Sequence, residues 1–237
     1  MSETYRTTGI ILGRTGFREH DLRVSVLTAD RGKLLLVARG GKKLRSKLAA
    51  HLEPFSLTEI MAVRGKTYDY AGAAVSQRCH VSLKTDFDKI AATGRVLGMI
   101  DRAVKEGSAD AGLFELVEEF LREMDEPLAT GMPNLLADLA LLKFINKAGY
   151  RPQLRECVIC KEKLKPGGNR FDLNRNGAAH SSCTSGKLTL EMSDDCVKVL
   201  RLADEQSLSR LTKLKISNKL QCEIKKFVES SIGYHIL

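Results

Sequence analysis

The 237-residue sequence predicts an α+β protein: a small N-terminal β-barrel, then an α-helical domain carrying an inserted zinc-ribbon-like element. Three observations carry this prediction. Short segments rich in Val, Ile, Leu, Thr and Tyr, separated by turn signals, fill residues 5–77. After residue 84 the apolar residues recur at helical spacing. Two pairs of potential metal ligands, Cys157/Cys160 and His180/Cys183, bracket a polar stretch with little to bury. The expected boundaries are 1–80 for the barrel, 81–237 for the helical domain and 157–183 for the insert.

The predicted strands are 8–14, 22–28, 33–38, 55–63 and 67–75. Thr15-Gly16, Asp30-Arg31-Gly32, Gly40-Gly41 and Arg64-Gly65-Lys66 supply the turns between them. Five short strands in so short a span suit a small closed barrel, with SH3-like and OB-type closure both open.

Helical stripes follow. Phe87, Ile90, Ala91, Gly94, Leu97 and Val104 lie on one; Leu113, Leu116, Val117, Phe120, Leu121 and Met124 form the cleanest amphipathic face. Pro127 stops that helix, and Pro133 suits the first turn of the next, a largely apolar 134–148 that ends at Gly149. Beyond the insert, Ser193 caps a helix over 193–205 with Asp194 and Asp195 in its first turn. A last helix, about 215–231, buries Ile216, Leu220, Ile224, Phe227 and Val228.

Charge is distributed unevenly. Residues 1–80 hold 14 Lys+Arg against 7 Asp+Glu, residues 81–156 hold 10 against 13, and residues 157–187 hold 6 against 2. A basic N-terminal module and a basic insert around an acidic middle favour a polyanionic partner, DNA or RNA. No apolar run reaches the roughly 18 residues of a membrane span, and MSETYRTTGI lacks the basic-then-apolar order of a secretory signal. The expected compartment is the cytoplasm. Of six cysteines only Cys157 and Cys160 form a close pair, which in that compartment reads as metal or redox chemistry.

Cys157-Val-Ile-Cys160 and His180-Ser-Ser-Cys183 stand 19 residues apart. Spacing by two residues lets both side chains of a tight turn reach one ion, and two such turns complete a tetrahedron. One structural zinc is therefore expected. Four protein ligands leave no position for a reactive water, and no βαβ pattern surrounds the pair to suggest a redox dithiol.

Arg39-Gly-Gly-Lys42-Lys43-Leu-Arg45-Ser-Lys47 places five cations in nine residues directly after a strand. Arg14, Arg18, Arg23, Lys33, Arg64 and Lys66 add charge to the same module, and Tyr5, Phe17, Phe55, Tyr68 and Tyr70 are candidates for base stacking or for the core. Gly40-Gly41-Lys42 is not a phosphate-binding loop of the Walker type, since Lys43 stands in the Ser/Thr place. His20, His51, His80 and His235 are isolated, and no nucleophile constellation is readable.

This layout resembles the bacterial recombination mediator family RecO. The resemblance is carried by Thr8-Gly-Ile-Ile-Leu-Gly-Arg14, Glu19-His-Asp-Leu-Arg23, Gly32 to Gly40, Leu52-Glu-Pro-Phe55, Gly149 to Cys160 and Ile232-Gly233, in that order over nearly the whole chain. It implies an OB-type barrel that binds single- and double-stranded DNA, and a helical domain that meets partner proteins. Such proteins anneal complementary strands and, with RecR, help RecA replace single-strand-binding protein (SSB), whose C-terminal tail they also bind. The resemblance makes Arg14 and the loop Arg39–Lys47 phosphate contacts. With the charge of the module, the expected DNA-binding set is Arg14, Lys33, Arg39, Lys42, Lys43, Arg45 and Lys47. It makes Cys157, Cys160, His180 and Cys183 the zinc ligands, with His180 where many relatives have Cys. No catalysis and no membrane partner are expected. Two other classes compete: an RNA-binding factor linked to translation that uses the same barrel and ribbon, and a zinc hydrolase or nuclease. The apolar helical half exceeds what a simple RNA clamp needs.

Overall fold

The structure is a computed structural model and describes residues 3–184, 186 and 188–236. Its first element, β1 (Thr4–Phe17), is long enough to pair twice: residues 9–17 run antiparallel to β2 (Asp21–Thr28), and residues 4–10 to β4 (Leu57–Val63). A bulge between Ile11 and Gly13 bends the strand between its two partners. β3 (Gly32–Ala38) follows β2 as a hairpin, and β5 (Asp69–Arg78) pairs β4. The barrel closes where β3 meets β5 in parallel, at Leu36–Asp69 and Val37–Tyr70. The closed order β1-β2-β3-β5-β4, with one parallel seam, is the five-stranded Greek-key barrel of the OB type and excludes the SH3-like alternative.

Alternation along the strands fills the barrel. Ile11, Val24, Val26, Leu36 and Ile60 are wholly buried inside it, with Tyr5 and Leu22 packed on their flank. The loop from β3 to β4 adds Leu52, also wholly buried, and Leu48.

By compactness the chain forms two units, Met1–Pro127 and Leu128–Leu237. The first contains α1 (Val81–Lys84), α2 (Phe87–Ala103) and α3 (Ala111–Asp125) beside the barrel. α2 packs on β1 and buries Lys89, Ala92, Val96, Leu97 and Ile100. Of the stripe expected for this helix only Leu97 is buried, and Phe87 is 82% exposed. The reason is Lys89: its ammonium donates to the Glu126 carbonyl (2.7 Å), so a lysine sits on the buried face and the apolar period misleads. α3 matches its expected face at all six positions.

His80 precedes α1 in left-handed backbone (φ 48°), is 3% exposed, and has its Nδ1 3.7 Å from Asp125. Burial lowers its pKa, outweighing the attraction of Asp125. A histidine held neutral in the folded state stabilises fully above its unfolded value of about 6.5 and loses that contribution as the pH falls through the lower folded value. The urea midpoint of the first unit should therefore drop on acidification below neutrality. His80→Asn, which tolerates left-handed backbone, should remove that part of the drop; an unchanged pH profile would show that this imidazole binds its proton equally well in the folded and unfolded states.

The second unit is built on α4 (Met132–Lys147), almost wholly buried, with Pro133 in its first turn as expected. It packs against α5 (Asp194–Glu205), α6 (Leu208–Leu211) and α7 (Asn218–His235). Ser193 caps α5 through the Cys196 N–H (3.2 Å). Between α4 and α5 lies a three-stranded antiparallel sheet of β6 (Asn169–Asp172), β7 (Gly177–His180) and β8 (Thr189–Met192), in the order β7-β6-β8. Phe171 on β6 is wholly buried, edge-on to Phe227 of α7 at 4.7 Å between centroids. That contact fastens the insert to the helices. Phe171→Ala should cost about 3–5 kcal/mol, read as a lower urea midpoint for the second unit. A loss under about 1 kcal/mol would mean the ring is not part of that core.

Candidate metal centre and nucleic-acid interface

The four expected ligands converge although no helix joins them. Residues 155–164 form a narrow knuckle: the Cys157 N–H donates to the Glu162 carbonyl (2.8 Å), the Lys161 N–H back to Cys157 (2.9 Å), and Lys161 takes left-handed backbone (φ 65°). His180 ends β7 and Cys183 closes the next turn, its N–H on the His180 carbonyl (2.9 Å). The Val158 N–H donates to Ala178 (3.0 Å), which lays the knuckle against β7. Gly177 is required at that approach, because a Cβ there would lie 2.1 Å from Val158 Cγ1.

One ligand atom from each of Cys157, Cys160, His180 and Cys183 lies within 4.8 Å of all the others. His180 Nδ1 stands 3.5 Å from Cys160 Sγ and 3.9 Å from Cys183 Sγ. Zn–S and Zn–N bonds of ordinary length give tetrahedral edges of roughly 3.4–3.8 Å, so the cluster has the size of a metal tetrahedron. His180 Nε2 is 3.2 Å from the Lys163 carbonyl. Donation of its proton there leaves Nδ1 as the lone-pair nitrogen, the outer bond that orients a metal-ligating histidine. Burial pushes the Cys157 thiol up, but the N–H groups of Cys160, His180 and Ile159 outweigh it and hold the thiol at about 6. Thiolate ligation at Cys157 needs that direction of shift, whereas burial and the neighbouring Cys160 and Cys157 push the Cys183 thiol up. Three sulfurs and one imidazole nitrogen can hold a metal ion.

The expected DNA-binding residues all lie in the barrel module, but they differ in availability. Lys43, Arg45 and Lys47 are exposed in the loop between β3 and β4, and no carboxylate pairs with them among the described residues. Lys42 is exposed and donates to the Arg18 carbonyl (2.7 Å). Arg39 lies over the Tyr70 ring, 4.0 Å from its centre. Arg14 is partly shielded, with Glu53 at 2.7 Å and the Ala49 carbonyl at 3.2 Å, and so pins the far end of the loop. Lys33 stands apart from the other six. Its side chain is 11% exposed and its ammonium is held by Asp101 of α2, through both the carboxylate (3.3 Å) and the backbone carbonyl. It ties α2 to β3 and is not presented to solvent.

Beside the loop stands a group that sequence spacing does not reveal. Phe17 and Tyr68 meet edge to face at 5.3 Å, and the Arg23 guanidinium lies 4.7 Å from the first ring and 5.7 Å from the second. A groove of about 520 Å³ runs along Arg23, Tyr68, Leu34 and Glu106. Of the other aromatic candidates, Tyr5 is committed to Asp69 by a 2.8 Å hydrogen bond, and burial with that bond pushes its hydroxyl up to about 12.

Two family descriptions match this chain: Recombination protein O N terminal over residues 1–74, and Recombination protein O C terminal over residues 84–237. The chain belongs to the RecO family. Family members named DNA repair protein RecO are similar throughout. That of a Roseiflexus species is 32% identical over 234 residues, covering 98% of this chain and 81% of the relative. One from Dehalococcoides mccartyi is 27% identical over 230 residues, covering 97% and 90%. One from Listeria monocytogenes is 26% identical over 223 residues, covering 94% and 86%. The OB-type barrel lies within the N-terminal family match, and the Cys/His cluster within the C-terminal one. No described helix is long and apolar enough to cross a membrane.

Proposed function

We propose that this chain is a recombination mediator that binds DNA and catalyses no reaction. It binds single- and double-stranded DNA, anneals complementary strands and, with RecR, helps load RecA onto SSB-coated DNA. It also engages the C-terminal tail of SSB, and works in the bacterial cytoplasm at the nucleoid. The observation that carries this reading is the exposed basic loop on an OB-type barrel, in a chain that matches RecO at both ends.

Arg39, Lys42, Lys43, Arg45 and Lys47 neutralise backbone phosphates, with Arg14 holding the loop in place. Phosphate contacts of this kind release counterions and are sequence-independent, as annealing of arbitrary strands requires. Phe17, Tyr68 and Tyr70, with Arg23 and Arg39 against them, offer π faces to bases. Lys33 takes no part. One zinc ion at Cys157, Cys160, His180 and Cys183 would supply fold stability and no reactive water, because all four positions are protein ligands.

Competition between single-stranded DNA and RNA of equal length tests the substrate class. DNA should compete at least as well as RNA, and DNA incubated with the protein and magnesium or zinc should stay uncut. Strong RNA preference would favour a translation factor, and metal-dependent cleavage a nuclease.

A further inference from the structure

A loop that only neutralises phosphate needs no apolar side chain at its tip, yet Leu44 stands there at 106% relative exposure, the most exposed large apolar residue described. The loop is ordered by three successive tight turns. The Gly41 N–H donates to Ala38 (3.2 Å), that of Lys43 to Gly40 (3.0 Å) and that of Ser46 to Lys43 (2.9 Å). The last turn puts Leu44 and Arg45 at its two corners. Its base is fastened to the β1–β2 turn: the Lys42 N–H donates to His20 (2.9 Å), and the Gly40 N–H to the Asp21 carboxylate (2.8 Å). On the other side Leu48 packs on the barrel core and Leu52 is wholly buried. The barrel thus takes two of the loop's three leucines and presents the third.

A single exposed leucine is ordinary on a protein surface. This one is fixed at a turn corner between Lys42, Lys43, Arg45 and Lys47, so its surroundings favour a polyanion over any other partner. Once the four cations sit on phosphates, the apolar surface that a nucleic acid offers a side chain standing among them is the face of its bases.

We propose that Leu44 is an apolar wedge that enters the base stack of bound DNA and unstacks it locally. The proposal rests on the DNA-binding reading above and adds an action to it. Insertion takes the leucine out of water, and it is easiest where stacking is already weak, at a duplex end, a junction or a mismatch. The Lys42 ammonium lies beside Gly16, next in sequence to Phe17, so the aromatic pair adjoins the loop and can receive a displaced base. Bases held open in this way expose their pairing edges to a complementary strand.

The test uses the full-length protein and a duplex with 2-aminopurine beside a single-strand junction. At saturating wild-type protein the fluorescence should rise about two-fold or more as the base unstacks. Leu44→Ala removes a side chain that touches no core, so its thermal midpoint and the salt slope of binding should equal wild type, while most of the fluorescence rise is lost. Leu44→Met should restore it. An equal rise with Leu44→Ala would overturn the proposal. So would Leu44-dependent binding to phosphatidylserine vesicles combined with an unchanged DNA signal, which would make the leucine a membrane contact. If wild-type protein does not bind the duplex at all, the DNA-binding reading fails first, before any fluorescence change is in question.

Discussion

Cys157→Ser should unfold the second unit from about residue 150 to the end of the insert and loosen α7, while the barrel stays intact. The expected size follows from the donor set. Structural zinc contributes an apparent 10–16 kcal/mol, roughly, in small zinc modules, which matches or exceeds the whole stability of an ordinary domain, about 5–15 kcal/mol. The insert has little else to offer: its largest buried side chains are Phe171, in a strand of four residues, and Leu173, in the turn that follows it. Without a metal at these ligands the knuckle should open first, then the sheet, then the Phe171–Phe227 contact with α7. Hydrogen exchange should show residues 155–183 exchanging within seconds in the variant, with the barrel amides still protected. A strong chelator should produce the same pattern in the wild type. Protected amides in the insert after complete metal removal would show that the four side chains are not a structural centre. His180→Cys should keep the site, because a set of four thiolates fits the same tetrahedron.

Replacing Lys42, Lys43 and Arg45 together by Ala should weaken DNA binding on the order of a hundredfold at low salt and flatten its salt dependence. Each lost phosphate contact lowers the slope of log K against log salt by about 0.7 on single strands and 0.9 on duplex. Three contacts therefore remove about two to three units of slope. These side chains are exposed and buttress no core, so the thermal midpoint should barely move. Lys33→Ala is the informative contrast. It should leave the slope unchanged and cost stability, because it strips Asp101 of its cation at the contact between β3 and α2. Fluorescence anisotropy across a salt series measures both. An unchanged slope in the triple variant would remove this loop from the interface.

Much of the fold was legible because its signals are local. Alternating strands, turn residues and the face of α3 are each fixed by neighbours within a few positions. Two ligand pairs at a spacing of two residues likewise announced a cluster, although the fold must bring Cys160 and His180 together from 20 residues apart. Other features depend on distant partners. The buried face of α2 was hidden because Lys89 finds a carbonyl 37 residues on, which makes burial of a lysine tolerable. Lys33 looked like surface charge because nothing in its neighbourhood mentions Asp101, 68 residues away. The change of period near residue 84 marks where helices begin, and compactness alone groups α2 and α3 with the barrel. The short strands β6, β7 and β8 show no period in the sequence, because four residues are too few to carry one. Arg23 meets Phe17 diagonally across the β1–β2 hairpin, but Tyr68 joins them only where the barrel closes.

A barrel with a basic loop, in a chain of the RecO family, is expected to act on DNA as a mediator. Strand annealing tests it most directly. Complementary oligonucleotides, each coated with SSB, are mixed with and without the protein, and duplex formation is followed by energy transfer between end labels. The wild-type protein should accelerate annealing at least about tenfold over the SSB-coated control, and the Lys42/Lys43/Arg45 triple variant should lose most of that gain. Annealing at the control rate, with wild-type protein folded and supplied with zinc, would show that this chain is not a mediator of annealing.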